Sequence, residues 1–218
     1  MNDRVTASAG LAAIIAIAAI AYFAVAAVAT HLVSPQYDLI RDYISDYAVG
    51  PWGWIYDSAF IASCIGTIAL AVALWQAAPR PALSRAGAVL LVVVGLTYAI
   101  DFVFPTEILA PGQPPHTTVG VIHLADAFVG WVAFVIAAFL ITGRLKHDAF
   151  FARRHGLLLA LSWIALLLLV ALIAVVGARL PIGGLTEKAF ILDRNIWALV
   201  LAVAVLKASP SPRRRQLA

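Results

Sequence analysis

The sequence predicts an all-α membrane protein: a bundle of six transmembrane helices with a short interfacial amphipathic helix between the first two. Three observations carry that expectation. Of the 218 residues, 63% are apolar and 12% charged, with a mean hydropathy of +0.97, against about 45–50% and 25% in soluble domains. The apolar residues fall in runs of roughly 20, the length that crosses about 30 Å of hydrocarbon. Finally, the basic residues divide unevenly between alternate connections, as membrane topology requires.

The spans fall at about 10–33, 54–78, 86–104, 117–142, 156–178 and 189–206, in one domain over 1–207, with a basic cytoplasmic tail over 208–218. Each span must be helical, because hydrocarbon offers backbone groups no other partner. The first span, with Arg4 before it and Ala27-Val28-Ala29 near its end, resembles a secretory signal. Its apolar run exceeds the 7–15 residues of a signal core, so a retained helix is expected. Ala9, Ala12, Ala16 and Ala19 give that helix a close-packing face. The single cysteine, Cys64, lies in mid-span and reads as a small packing residue.

Arg4, Arg80, Arg85, Arg144, Lys146, Arg153, Arg154, Lys207 and Arg213 to Arg215 lie on one side, and Arg41, Arg179, Lys188 and Arg194 on the other, eleven against four. Both termini are therefore expected in the cytoplasm of a multi-pass cell-membrane protein. The net charge of +4 is spread over short loops and a tail, which argues against nucleic acid as a partner and for the lipid bilayer. Acidic residues sort the opposite way: only Asp3 and Asp148 lie inside. A functional site is therefore expected at the outer end.

In the first outer connection, Tyr37, Ile40, Ile44 and Tyr47 recur at spacings of three and four, with Asp38, Asp42 and Asp46 on another side. That pattern predicts the amphipathic interfacial helix, anchored by Tyr43, Trp52 and Trp54. Three carboxylates at i, i+4 and i+8 could hold a divalent cation; the plainer alternative is a solvated face with Arg41 pairing Asp38 or Asp42. In the second outer connection Pro105 ends the third span, with Asp101 a turn inside it and Glu107 just beyond. His116, His123 and Asp126 then fall within one arc of the fourth helix. Ionisable groups at that depth are costly unless they face the bundle interior or a wet cavity. In the third, Thr186 is a candidate cap of the last helix. Glu187 and Arg194, seven apart, share a face, and Arg194 is expected to reach Asp101 or Asp126.

Tyr37-Asp38-x-x-x-Asp42-x-x-Ser45-Asp46, Gly50 and Gly53-Trp54, Phe104-Pro105-Thr106-Glu107, Gly120-x-x-His123 and Gly184-Leu185-x-Glu187-Lys188 together resemble the six-helix membrane family called domain of unknown function 998. The resemblance spans nearly the whole chain and implies a fold and a membrane location, not an activity. Family members tend to carry Ser-Glu at the place of Ser45-Asp46 and an arginine at the place of Lys188.

Three kinds of function remain as alternatives. One is an enzyme acting, for instance by hydrolysis, on a lipid-like or small substrate at the outer leaflet. It would use His123 as base or zinc ligand, Asp101 and Asp126 as orienting groups or acids and Ser45 as nucleophile, with Asp42, Asp46, Glu107, His116, Glu187 and Arg194 as ligand-binding groups. No Gly-x-Ser-x-Gly or His-Glu-x-x-His accompanies them. The second is a non-catalytic binding or transport protein, against which the apolar middles of the helices weigh. The third is a structural subunit in which His123 is polar glue between helices. Bis-histidine haem ligation has a pair only in His31 and His123, since His155 lies at the inner end. The sequence selects no cofactor and no metal.

Overall fold

A computed structural model describes residues 7–79, 82–109 and 113–208. The expected tail 208–218, with its Arg213 to Arg215 run, lies outside the described residues except for Ala208, as do Arg4 and Arg80.

Among the described residues seven α-helices follow one another: α1 (Ala7–Val33), α2 (Gly53–Ala77), α3 (Arg85–Val103), α4 (Thr118–Leu145), the single-turn α5 (Ala149–Ala152), α6 (His155–Gly177) and α7 (Gly183–Ala208). All except α5 are long and apolar enough to cross a bilayer. Five of the six spans match their expected limits closely. The last begins at Gly183 rather than near 189, which puts Arg194 eleven residues into the helix instead of near its start. Thr186 sits within the first turn of α7, its hydroxyl donating to the Ile182 carbonyl at 2.9 Å, and is not the N-cap. True caps appear at Ser84 and Thr117, whose side-chain oxygens accept from Gly87 N at 3.1 Å and Gly120 N at 3.0 Å.

The spans close into a ring in the order α1, α2, α3, α4, α6, α7, and α7 also lies against α2. Leu11, Val25, Leu96, Val129, Leu167 and Leu192 point outward, as a lipid-facing surface demands, because lipid tails give no reason to bury leucine. Small residues face inward: Ala9, Ala13, Ala59, Ala73, Ala137, Ala165 and Ala202 are completely buried. A Cβ on Gly66 would collide with that of Ala19, so α1 and α2 approach at the distance set by a glycine. The largest side chains fill the centre, where the Phe134 ring meets Phe190 at 6.0 Å and Trp197 at 5.5 Å, edge to face in both cases.

The segment between α1 and α2 departs from expectation. It is a turn followed by a 3-10 helix, Ile44–Ala48, not an amphipathic α-helix lying flat. Ile44 and Tyr47 are buried while Ile40 is exposed, so the apolar residues do not form one stripe. The reason is chemical. Asp38 Oδ1 accepts from the N–H groups of Ile40 at 2.8 Å and Arg41 at 2.9 Å, Asp42 Oδ2 from Asp38 N at 2.6 Å, and Asp46 Oδ2 from Tyr43 N at 2.8 Å. Aspartates that bond nearby backbone compete with a helical ladder.

This strap lies across the start of α7. Gly184 N donates to Arg41 O at 3.3 Å and Leu185 N to Ile40 O at 2.9 Å, which satisfies first-turn donors that otherwise have no partner. Ile44 N donates to Glu187 Oε2 at 2.6 Å, and Lys188 Nζ donates to the Asp42 carbonyl.

Candidate functional site

At the end of the bundle away from both described termini, the strap closes over a cavity of about 30 Å³, room for roughly two waters. Asp101 from α3, His123 from α4 and Glu187 with Arg194 from α7 line it, and Ser45 of the strap faces it from above. Each of these five is at most 8% exposed. Aromatic rings form the rest of the wall: Tyr56 lies 5.8 Å from Phe23 and 5.1 Å from Phe60, and Phe60 lies 6.5 Å from Tyr98.

Phe104 ends α3 because Pro105 follows, and its carbonyl is free of the helical ladder. The His123 Nδ1 lies 2.9 Å from that oxygen and 3.2 Å from Asp101 Oδ1. A proton on Nδ1 donated to the carbonyl leaves Nε2 as the basic nitrogen. Asp101 Oδ1 then has no hydrogen-bond donor of its own. Arg194 does not pair with a carboxylate as expected: among the described residues none lies within 4.0 Å of its guanidinium. It lies instead over the Tyr98 ring, 4.9 Å from the centroid, a cation–π contact, because the carboxylate nearest in kind, Asp101, sits against His123.

Ten residues were expected to form the site, and they separate into three clusters and one lone residue. Asp101, His123, Ser45, Glu187 and Arg194 share the cavity. Asp126 does not line it, though its charge acts on Asp101, and its Oδ2 is buried without a hydrogen bond. Asp42 and Asp46 belong to the strap, where they hold backbone, and of the two alternatives for Asp38, Asp42 and Asp46 the shared cation face is not formed among the described residues. Asp38 pairs Arg41 at 3.6 Å, the plainer alternative. Glu107 and His116 form a separate, more exposed cap on α4: Glu107 Oε2 accepts from His116 N at 2.9 Å and from Thr117 N and Oγ1 at 3.0 Å, with His116 Nδ1 3.4 Å from Oε1.

Electrostatics outside the membrane-spanning helices follow these contacts. Burial raises the Asp46 carboxyl to about 6 despite the Tyr43 N–H that bonds it, with Asp42 adding repulsion. The hydrogen bond from Thr117 N–H, with that of His116, holds Glu107 below its ordinary value. Burial, followed by the neighbouring strap carboxylates, pushes the Tyr47 hydroxyl up to about 12, so it remains a donor or acceptor for His31 Nδ1 at 2.8 Å. His31 is thereby turned to Tyr47 and is absent from the cavity that His123 lines. No group of three His, Cys, Asp or Glu side chains has metal-holding geometry among the described residues.

Three residues escape a sequence reading. Tyr56 and Tyr98 put hydroxyl-bearing rings into the cavity wall; the signal was Tyr98 lying three residues before Asp101, on the same helical face. Asp193 is buried with an Oδ2 that has no hydrogen bond.

Six long apolar helices around a buried polar cluster define a polytopic α-helical membrane protein. The chain belongs to the family described as protein of unknown function (DUF998), which matches residues 16–204, as the sequence resemblance implied. No curated protein and no solved structure matches it.

Proposed function

We propose that the cavity is a pocket for a small polar ligand or substrate group, lying beneath the strap toward the outer face of the cell membrane, with His123 as its acid–base group. The outward orientation rests on the eleven-to-four division of basic residues. One observation carries the pocket: four ionisable side chains from three helices, all buried, line the same water-sized space. Such groups cost about 2.5–3.5 kcal/mol each in a span by insertion scales. Polar glue needs one partner per group; this arrangement gathers four around a space and leaves Asp101 Oδ1 without a hydrogen bond.

A hydrolytic version is favoured by a specific contact. Asp101 stands 3.2 Å from Nδ1 of His123, the orienting side of the ring, and Ser45 lines the same cavity as a candidate nucleophile. A transport or purely structural role has no comparable observation behind it at this site.

Native mass spectrometry of the full chain released from nanodiscs tests the proposal. Wild type is expected to carry a bound small molecule that His123→Gln and Asp101→Asn lose while keeping their helical circular dichroism. Identical spectra for all three proteins, with only the melting temperature lowered in the variants, would mean that His123 and Asp101 are glue.

A further inference from the structure

A second cavity, also of about 30 Å³, lies deeper in the bundle and meets the first at Phe23, Tyr98 and Arg194. Its polar wall differs in kind. Ser63 and Thr67, about one turn apart on α2, face Arg194 and Asn195 of α7 across the space, with Tyr98 of α3 beside them. No aspartate or glutamate lines it. Room for these groups comes from the small residues Ala16 and Ala19 of α1 and Gly66 of α2. Arg194 is eleven residues into α7, about 16 Å from its start at 1.5 Å per residue, which is near the middle of a bilayer.

We infer that this deeper cavity is a binding site for a small inorganic anion such as chloride or nitrate. A guanidinium in low dielectric needs counter-charge, and Asp101 and Glu187, which face Arg194 across the upper cavity, stand beyond ion-pair distance and offset it only in part. Arg194 is 7% exposed and has no carboxylate within 4.0 Å among the described residues. The hydroxyls of Ser63, Thr67 and Tyr98 and the amide of Asn195 can all donate to an anion, and the absence of an acidic wall removes the repulsion that the upper cavity would impose. The cavity admits a small monoanion, and one guanidinium among neutral groups does not offset the desolvation of doubly charged sulfate or a phosphate headgroup. Arg194 therefore separates two chemistries: histidine and carboxylates on one side, neutral donors and a bound anion on the other. The inference stands independently of the His123 pocket, since only Arg194, Tyr98 and Phe23 are common to both.

Thermal melting of the full chain in detergent tests it, with sodium gluconate replaced stepwise by sodium chloride or sodium nitrate at constant ionic strength. A saturable rise in melting temperature is expected, matched by choline chloride and absent with sulfate. In Arg194→Gln the half-saturating chloride concentration should rise at least tenfold, or the response vanish. Should that variant not fold, Ser63→Ala/Thr67→Val, which keeps the guanidinium, should raise it at least threefold. His123→Gln should leave it within twofold. No saturable rise overturns the inference, as does an equal rise with sulfate, which marks a surface salt effect. An unchanged midpoint in the variants that fold, or a midpoint that moves only with His123→Gln and so places the ion in the upper cavity, overturns it equally.

Discussion

Among single residues, burial without a matching partner is the recurring condition. Asp101, Asp126 and Asp193 each hold an oxygen that is buried and has no hydrogen bond, and Arg194 rests on an aromatic ring. The sequence exposes the first half of this pattern: a histidine, three aspartates and an arginine inside apolar runs are conspicuous. It hides the second half, because whether Asp101 meets His123 or Arg194 depends on helix rotation, which a few degrees decide. Asp46 gives a residue whose titration is open to measurement. Its folded value of about 6 lies above the ordinary 3.8, so the folded state binds the proton more tightly than the unfolded chain. Its favourable contribution is complete below pH 3.8 and is lost as pH rises through 6, on the order of 3 kcal/mol at 1.36 kcal/mol per pH unit. Asp46→Asn keeps an oxygen for Tyr43 N–H and removes the charge. Chemical unfolding of both proteins should show wild type losing stability relative to Asp46→Asn between pH 4 and pH 6.5; parallel curves would show that Asp46 is not buried as described.

For the elements, the spans were readable because each needs only length and apolarity. The strap was not readable, since spacings of three and four fit a helix until aspartate side chains claim the backbone N–H groups, and that competition leaves no mark on periodicity. The start of α7 was displaced for a related reason. Gly183, Gly184, Glu187 and Lys188 read as a loop, yet the strap's carbonyls satisfy the helix start and make it helical. Gly184 is the hinge of that arrangement: a Cβ there would collide with the Asp42 carbonyl oxygen, which is backbone and cannot swing aside. Gly184→Ala should therefore lift the strap and lower stability by about 1–3 kcal/mol, the range for overpacking, in thermal or chemical unfolding. Alanine favours helices, so a variant at least as stable as wild type would show that strap and α7 are not in this contact.

Across the whole molecule, the ring order α1, α2, α3, α4, α6, α7 brings the ends of α3, α4 and α7 to one place, and nothing in a linear sequence states that order. The sequence did place the ionisable groups at one end, because each precedes or follows a connection on that side. It could not separate the three clusters they form, since Glu107 and His116 look as deserving of a pocket as Asp101 and His123 until Glu107 is seen to hold the backbone just before α4. Nor did the sequence foretell a cavity beside Arg194, which results from alanines and a glycine on helices distant in the chain.

The central claim is that buried ionisable groups from separate helices depend on one another. A double-mutant cycle for unfolding in detergent, combining Asp101→Asn on α3 with His123→Gln on α4, measures that dependence directly. The 3.2 Å approach of Asp101 to His123 predicts that the two losses are not additive, with an interaction energy of about 0.5–2 kcal/mol, the scale of polar pairs between membrane helices. Losses that simply add would place the two groups apart and contradict the shared cavity.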